Sequence, residues 1–191
     1  DTVSVTGTAN LMMAATLAKG LTVINNSAKE PEIFDLQKSL NSMGAKISGA
    51  GTECITIEGV DFLTEGYHSV MFDRIVAGTF VIAGVMKNKD FSIKNINPNY
   101  LNALIEVLKK MKANLIINKS SITVMPSNKI IGTEIETAPY PGFPTDLQAQ
   151  IMALMSMAKG SSKIIEKIFE NRFMHVAELN RLGANIKIKN D

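Results

Sequence analysis

Several residue types are scarce in this chain of 191 residues, and each scarcity excludes a class of protein. Cys54 is the only cysteine, so an internal disulfide is impossible, and such cysteine usage is typical of a reducing cytoplasm. Lys, Asp, Glu or Asn interrupts every apolar stretch before it reaches the roughly 18 residues that a membrane helix needs. We therefore expect a cytoplasmic protein with no membrane partner.

The charge distribution argues against a nucleic-acid partner. Twenty basic and eighteen acidic residues give a formal net charge of +2, and no block of like charge is long enough to follow a phosphate backbone. Arginine is scarce, since only Arg74, Arg172 and Arg181 occur. Because a guanidinium suits planar, bidentate recognition of anions, each arginine is a candidate for such a role.

Familiar phosphate and metal motifs are also missing. The chain contains no Walker Gly-Lys-Ser/Thr sequence, no G-x-G-x-x-G and no paired cysteines, and its only histidines, His68 and His175, lie far apart. These patterns give no support to a metal-dependent or nucleotide-cleaving mechanism. Cys54 falls in an alternating strand pattern without a basic neighbour, which indicates a small apolar residue rather than a nucleophile.

What the sequence does contain is an internal repeat of about seventy residues. Its alanines, at positions 45, 113 and 184, are 68 and 71 residues apart. The Leu and Met spacing predicts a helix, the following Gly predicts a left-handed stop, and Ala-x-Ile predicts the start of a strand. Each unit therefore reads as α-β-α-β-β. The three copies are Leu40-x-x-Met43-Gly44-Ala45-x-Ile47, Leu108-x-x-Met111-Lys112-Ala113-x-Leu115 and Leu179-x-x-Leu182-Gly183-Ala184-x-Ile186.

The first helix of each unit, predicted near 10–17, 75–86 and 148–157, carries Met, Ala, Leu and Val around much of its circumference. This pattern predicts buried helices with sheets outside them. Residues 151–157 are rich in methionine, which indicates core filling, with a Met-lined partner groove as the alternative.

A proline-rich approach to the third of these helices contains a candidate site residue, Asp146. Thr145-x-x-Gln148 matches a capping box, and Asp146 falls in the predicted first turn. Pattern alone favours a structural role, in which Thr145 caps the helix and Asp146 interacts with its dipole for about 0.3 to 1 kcal/mol. The alternative is a chemical role for the carboxylate.

Residues 168–175 predict a strand that passes into a helix through an Asn171 cap, with Arg172 in the first turn. A cation is unfavourable there because the helix dipole already supplies positive potential. Two interpretations stay open. Either an anion binds at the helix start, or Arg172 forms an ordinary ion pair with Glu170 or Glu178.

The segments around Asp146 and Arg172, residues 143–150 and 169–179, closely resemble two signatures of the UDP-N-acetylglucosamine 1-carboxyvinyltransferase family. The similarity continues through residues 30–36, 43–52 and 73–75 and covers essentially the whole chain in order. The related enolpyruvylshikimate phosphate synthases are similar in repeat architecture but lack these two sequences. The two stretches are Phe143-Pro144-Thr145-Asp146-Leu147-Gln148-Ala149-Gln150 and Phe169-Glu170-Asn171-Arg172-Phe173-Met174-His175-Val176-Ala177-Glu178-Leu179.

The resemblance implies a fold and an activity. The fold is the inside-out α/β prism of enolpyruvyl transferases, with residues 1–70 as the last repeat unit of a first domain and 71–191 as most of a second. The activity moves the enolpyruvyl group of phosphoenolpyruvate to the 3′-hydroxyl of UDP-N-acetylglucosamine, the first committed step of peptidoglycan precursor synthesis. It implies no cofactor and no metal.

The resemblance also implies site residues. Asp146 would bind the sugar hydroxyl and act as general base, Arg172 would lie by the phosphoenolpyruvate carboxylate, and the backbone at Ile168 would meet the nucleotide sugar. The segment that would hold the uridine diphosphate comprises Thr2, Val3, Ser4 and Val5.

Other family features have no counterpart in this sequence: an N-terminal Lys-Asn pair, a mobile loop with a reactive Cys, the Arg residues beside it, and an Arg near the C-terminus. We therefore expect a fragment whose partner is the rest of the transferase chain and which is inactive alone. Two alternatives stay open. One is a short, noncatalytic prism protein that binds a nucleotide sugar or another protein, and the other is an enolpyruvyl transferase acting on a different hydroxyl.

Overall fold

A computed structural model describes residues 3–189, which form two compact units. The first unit runs to Met71 and includes Pro139–Pro141, and the second comprises Phe72–Ala138 and the chain from Gly142 onward. Their assignment to the prism domains expected at 1–70 and 71–191 stays a prediction. Within residues 3–189, no helix has both the length and the apolar character needed to cross a membrane.

The first unit contains one complete copy of the repeat. Its three strands form an antiparallel sheet in the order β1-β3-β2, and its core includes Met12, Ile33, Ile55 and Ile57, each at most 1% exposed. Alternation of buried and exposed residues along β3 places Ile55 and Ile57 on the face that packs against the helices. The elements are α1 (Val5–Ala15), β1 (Leu21–Asn25), α2 (Pro31–Ser42), β2 (Lys46–Ser48) and β3 (Cys54–Glu58).

The second unit begins with the same order of elements and the same sheet topology, β4-β6-β5, so the predicted α-β-α-β-β repeat is confirmed. Its remaining elements contain the α-β-α start of a third copy, namely α5, β8 and α6, and an additional strand before it, β7, which pairs in parallel with β8. The elements are α3 (Arg74–Lys87), β4 (Phe91–Lys94), a 3₁₀ helix (Pro98–Leu101), α4 (Asn102–Lys110), β5 (Asn114–Asn118), β6 (Ser121–Met125), β7 (Glu134–Glu136), a second 3₁₀ helix (Thr145–Leu147), α5 (Gln148–Ser156), β8 (Lys163–Ile165) and α6 (His175–Arg181).

The second helix of each copy ends in the same way, as the motif predicts. Gly44, Lys112 and Gly183 have φ of +96°, +65° and +100°, so all three are left-handed. Backbone reversal at this position lets the next residue, an alanine, donate its N–H to a leucine carbonyl five positions earlier. These bonds are Ala45 to Leu40 at 3.1 Å, Ala113 to Leu108 at 2.9 Å and Ala184 to Leu179 at 3.1 Å.

An asparagine side chain reinforces this turn in two of the copies, a contact that the repeat motif does not predict. The Asn41 amide donates to the carbonyl of Ile47 at 2.8 Å and accepts from its N–H at 2.9 Å. Asn180 makes the same two bonds with Ile186, both at 2.9 Å. Lys109 occupies the matching position of the middle copy. Each asparagine side chain thus makes the pair of hydrogen bonds that the backbone of a neighbouring strand would otherwise make with Ile47 or Ile186.

The prediction of buried first helices holds for α3 and α5 better than for α1. In the methionine-rich stretch, Met152 and Met155 are 6% and 5% exposed and fill the core, whereas Met157, just past the end of α5, is 64% exposed. In α1, by contrast, Leu11 and Met13 are 56% and 45% exposed. The reason is that α1 packs against α2, β1 and β3 of its own unit along one side only, through Thr8, Met12 and Ala15.

Candidate functional site

Asp146 lies in a short 3₁₀ turn that the buried core holds in place. The loop before it closes on itself, because Ala138 donates its N–H to the carbonyl of Phe143 at 3.0 Å, and Phe143 is only 5% exposed. Leu147, directly after Asp146, is fully buried in the core of the second unit. The Asp146 side chain is 58% exposed. A rigid, apolar anchor therefore presents a carboxylate to solvent.

The predicted capping box does not form. Residues 145–147 make the 3₁₀ turn, and α5 begins only at Gln148. Thr145 donates its hydroxyl to Glu166 Oε2 at 2.9 Å instead of capping a helix, a bond that the charge of the carboxylate strengthens. The fully buried Gln148 side chain donates from Nε2 to the carbonyl of Arg172 at 3.3 Å. Both capping residues therefore serve tertiary contacts.

The expectation that Arg172 lies in the first turn of a helix is also wrong. Helix α6 begins at His175, so Arg172 precedes it in an irregular turn. Asn171 has φ of +56°, which is left-handed and not the extended conformation of an N-cap residue. The nine residues between β8 and α6 form a loop, and side chains bind some of its backbone groups. Glu166 accepts from the N–H groups of Ile168 and Phe169, and Gln148 donates to the carbonyl of Arg172.

Arg172 forms an ion pair with Asp146. The predicted ion pair of Arg172 with Glu170 or Glu178 is therefore wrong. Arg172 Nη2 lies 2.7 Å from Asp146 Oδ1, and Glu178 pairs with Arg181 at 2.9 Å. The Arg172 guanidinium carbon also lies 5.0 Å from the centre of the Phe169 ring. An ion pair this exposed contributes only about 0 to 1 kcal/mol to stability. Its two side chains are therefore candidates for a chemical role rather than for a stabilising one.

Glu166 connects the segments on either side of this ion pair. Its Oε1 accepts from the Thr137 hydroxyl at 2.8 Å and from the N–H groups of Ile168 at 2.9 Å and Phe169 at 3.2 Å. Its Oε2 accepts from the Thr145 hydroxyl. Partial burial raises the pKa of this carboxyl, but the four hydrogen bonds outweigh burial and hold the pKa below its usual value.

His175 begins α6 beside the ion pair. Burial and, secondly, the positive charge of Arg172 lower the pKa of its imidazole, so the ring is neutral at neutral pH. Its Nε2 is buried and has no hydrogen-bond partner among residues 3–189. A neutral imidazole avoids placing a second cation next to Arg172.

The candidate diphosphate segment lies in the first unit, at the start of α1. Ser4 is the N-cap residue, and its Oγ accepts from the N–H of Gly7 at 3.0 Å. Val5 is the first helical residue, and Val3 before it is 36% exposed. Thr2 lies outside the described residues. A helix start whose first residues, Val5 and Thr6, are exposed and whose first turn has no acidic residue suits an anion.

Among the expected site residues, the second unit brings together Asp146, Arg172 and the backbone at Ile168, whereas Val3, Ser4 and Val5 belong to the first unit. Glu166 was missed. A signal did exist: Asn26 and Asn95 directly follow the matching strands of the other copies and have φ of +55° and +60°, and Glu166 replaces them in the third. A break in a repeated position indicates a local change of role.

Comparison with known proteins agrees with the family resemblance and with the fold. The family model of EPSP synthase (3-phosphoshikimate 1-carboxyvinyltransferase) matches residues 1–191, and the chain belongs to this family. Its curated relatives include UDP-N-acetylglucosamine 1-carboxyvinyltransferases, 53% identical in Bdellovibrio bacteriovorus and 49% identical in Myxococcus xanthus, over 99% of this chain in both cases. The chain spans 46% and 45% of the lengths of those two proteins, so less than half of either.

The fold has a solved counterpart in the enolpyruvyl transferase NikO from Streptomyces tendae. The TM-score is 0.83 over 97% of this chain and 45% of that one, at 23% sequence identity. Similarity at this level of identity establishes the architecture alone. The predicted enolpyruvyl transferase fold is therefore confirmed.

Proposed function

We propose that the full-length protein containing this chain transfers the enolpyruvyl group of phosphoenolpyruvate to the 3′-hydroxyl of UDP-N-acetylglucosamine. Relatives with that transferase name are 49% to 53% identical over nearly the whole chain. The observation that carries the proposal is the 2.7 Å contact between Asp146 and Arg172, the two charged residues that the resemblance assigns to the hydroxyl and to the phosphoenolpyruvate carboxylate. We place this reaction in the cytoplasm.

The proposed role of Asp146 is that of a general base. A carboxylate is far too weak a base to ionise an alcohol in advance, so it accepts the proton while the hydroxyl oxygen bonds to C2 of phosphoenolpyruvate. The exposure of Asp146 on a rigid turn suits this role, because the substrate can reach the carboxylate without displacing buried structure. Asp146 would thus hold the proton that the new C–O bond releases.

The two steps balance in atoms and charge. Addition across the C2–C3 double bond places the sugar oxygen on C2 and a proton on C3, giving a tetrahedral intermediate. Loss of phosphate from C2, together with a proton from C3, restores the double bond in the product. None of the residues that the resemblance assigns in this chain supplies the proton to C3, and the mobile loop and cationic residues of the family have no counterpart here, which is why we expect this chain alone to be inactive.

The proposed role of Arg172 is to bind the phosphoenolpyruvate carboxylate beside the base. A guanidinium carries five N–H donors in a planar fork, and the contact with Asp146 Oδ1 engages Nη2. Its positive charge offsets the repulsion between the Asp146 carboxylate and the incoming anionic substrate. The ion pair therefore places a hydroxyl acceptor and an anion site next to each other, which is the arrangement that addition to C2 requires.

The nucleotide would bind through backbone groups. The resemblance assigns the backbone at Ile168 to the nucleotide sugar and residues 2–5 to the uridine diphosphate. Support comes from the start of α1, where Ser4 caps the helix and the positive end of the dipole favours a diphosphate. The loop containing Ile168 is fixed by its N–H bond to Glu166.

The test uses the full-length protein that contains this chain. We expect phosphate release that depends on both phosphoenolpyruvate and UDP-N-acetylglucosamine, and no release when shikimate 3-phosphate replaces the nucleotide sugar. The 191-residue chain alone should release none. Activity with a different acceptor hydroxyl would favour another enolpyruvyl transferase, and nucleotide-sugar binding without any turnover would favour a noncatalytic binding protein.

A further inference from the structure

One carboxylate outside the proposed reaction has hydrogen bonds to every segment that carries the Asp146–Arg172 pair. Glu166 directly follows β8 and accepts from Thr137 at the end of β7, from Thr145 in the 3₁₀ turn, and from the backbone of Ile168 and Phe169. Within residues 3–189, Glu166 makes no hydrogen bond or salt bridge with either member of the ion pair. Its contacts are nevertheless one residue from Asp146 on one side and three residues from Arg172 on the other.

Each carboxylate oxygen of Glu166 accepts a different set of these hydrogen bonds. Oε2 fixes the Thr145 hydroxyl at 2.9 Å, which orients the turn containing Asp146. Oε1 fixes Phe169, whose ring lies 5.0 Å from the Arg172 guanidinium carbon, and also fixes the Ile168 backbone. The hydrogen bond from Gln148 to the Arg172 carbonyl holds the same loop from α5. Glu166 and Gln148 therefore restrain the turn that contains Asp146 and the loop that contains Arg172.

We propose that Glu166 is a positioning residue of the transferase, whose ionised carboxylate fixes the base Asp146 and the anion-binding Arg172 at reacting distance. This inference rests on the proposed function. Four acceptor contacts need the ionised form, because a protonated carboxyl or an amide has fewer acceptor sites and presents a donor to Thr145 or to the backbone N–H groups. The lowered pKa of Glu166 agrees with this requirement.

The test compares Glu166→Gln with Glu134→Gln in the full-length protein. Glu134 is a matched control, since it lies on β7, which pairs with β8, and its exposed carboxylate pairs only with Lys163 in the described structure. For Glu166→Gln we expect kcat to fall by roughly 10- to 100-fold while KM for UDP-N-acetylglucosamine changes by less than about threefold, because misplacement affects the transition state more than binding. Glu134→Gln should keep the wild-type kcat.

Substitutions at Thr145 test the same contact from its other end. Thr145→Ser retains the hydroxyl and Thr145→Val removes it, so the serine variant should keep the higher kcat. Combining Thr145→Val with Glu166→Gln should cost less than the product of the two single losses, because both remove one contact. These variants also decide the matter if Glu166→Gln does not fold.

Amide hydrogen exchange gives a readout that does not depend on activity. In Glu166→Gln, but not in Glu134→Gln, the amides of Ile168 and Phe169 should exchange about tenfold faster or more. An inactive wild-type protein would refute the proposed function, and exchange would then decide whether Glu166 orders the loop. Positioning is overturned if folded Glu166→Gln keeps more than half of the wild-type kcat, if Thr145→Val equals Thr145→Ser, or if exchange is unchanged.

Discussion

The first and last copies of the repeat end their second helix identically but begin it differently. In the first copy, α2 begins at Pro31, whose fixed φ suits the first helical position. The matching position of the last copy is Glu170, yet α6 begins five residues later, at His175. The last copy thus has a shorter helix and a longer loop than the first, and Arg172 lies in that loop.

This difference shows which part of the repeat can vary. The helix ends are set by local bonds, the alanine N–H to a leucine carbonyl, which any copy with the motif can form. In the last copy, backbone groups of the segment before α6 bind side chains instead of continuing a helix. The first copy keeps the regular start, and in the last copy the segment before α6 contains Glu166 and Arg172, whose partners Thr145 and Asp146 lie in the 3₁₀ turn before α5.

The largest expected effect separates the chemical role of the last copy from a structural one. In the full-length protein, Asp146→Asn should lower kcat by roughly 10² to 10⁴, because the amide cannot accept the hydroxyl proton. The Tm should stay close to that of the wild type, since an exposed ion pair contributes little to stability. Steady-state kinetics and thermal unfolding measure the two quantities.

Glu178→Gln is the control for Asp146→Asn, because it removes another exposed carboxylate that pairs with an arginine of the same unit. It should leave kcat unchanged. If Asp146→Asn retained more than about half of the wild-type kcat at saturating substrates, the general-base role would be wrong.

The asparagine contact shared by the first and last copies predicts the next largest effect. Asn41→Ala should lower the free energy of unfolding by about 1 to 3 kcal/mol, because it leaves the N–H and carbonyl of the buried Ile47 without the side-chain partner. Lys109→Ala, at the matching position of the middle copy, should change it by less than about 0.5 kcal/mol. Urea unfolding compares them, and equal losses would refute a specific role for asparagine.

A smaller effect concerns the left-handed residue at the helix end. Lys112→Gly should stabilise the protein by up to about 1 kcal/mol, because glycine adopts φ of +65° without the steric cost of a side chain. Gly183→Ala should destabilise it by about 1 kcal/mol, although nothing lies within 4 Å of the added Cβ, so that backbone strain alone acts. Thermal unfolding of both variants checks the signs, and a destabilising Lys112→Gly would contradict this account.

The smallest effect is a pH dependence of stability that Glu166 gives to the last copy. The folded-state pKa of Glu166 lies below its ordinary value of 4.5, so its stabilising contribution is present above about pH 4.5 and is lost as the pH falls through the lowered pKa. Solvent screens the partly exposed carboxylate, which limits the size of its contribution to stability. The difference in Tm between wild type and Glu166→Gln should therefore shrink on acidification. A difference independent of pH would contradict the ionised form.

The helix ends and the repeat could be predicted because their signals are local. Leu40 and Ala45 are five residues apart, and the left-handed Gly44 between them fixes their hydrogen bond. The expectation failed where a distant partner competed with a local one. Thr145 was expected to cap its own helix, but its hydroxyl binds Glu166, 21 residues further along the chain.

The sequence by itself determined the repeat, the order of its elements, the family and the identity of Asp146 and Arg172 as candidates. Tertiary structure alone decided that these two side chains meet, that α6 begins at His175 and that Glu166 links their segments. The physical reason is separation along the chain. The Asp146–Arg172 contact spans 26 residues and depends on the parallel pairing of β7 with β8, a long-range arrangement that neither local propensity nor spacing encodes.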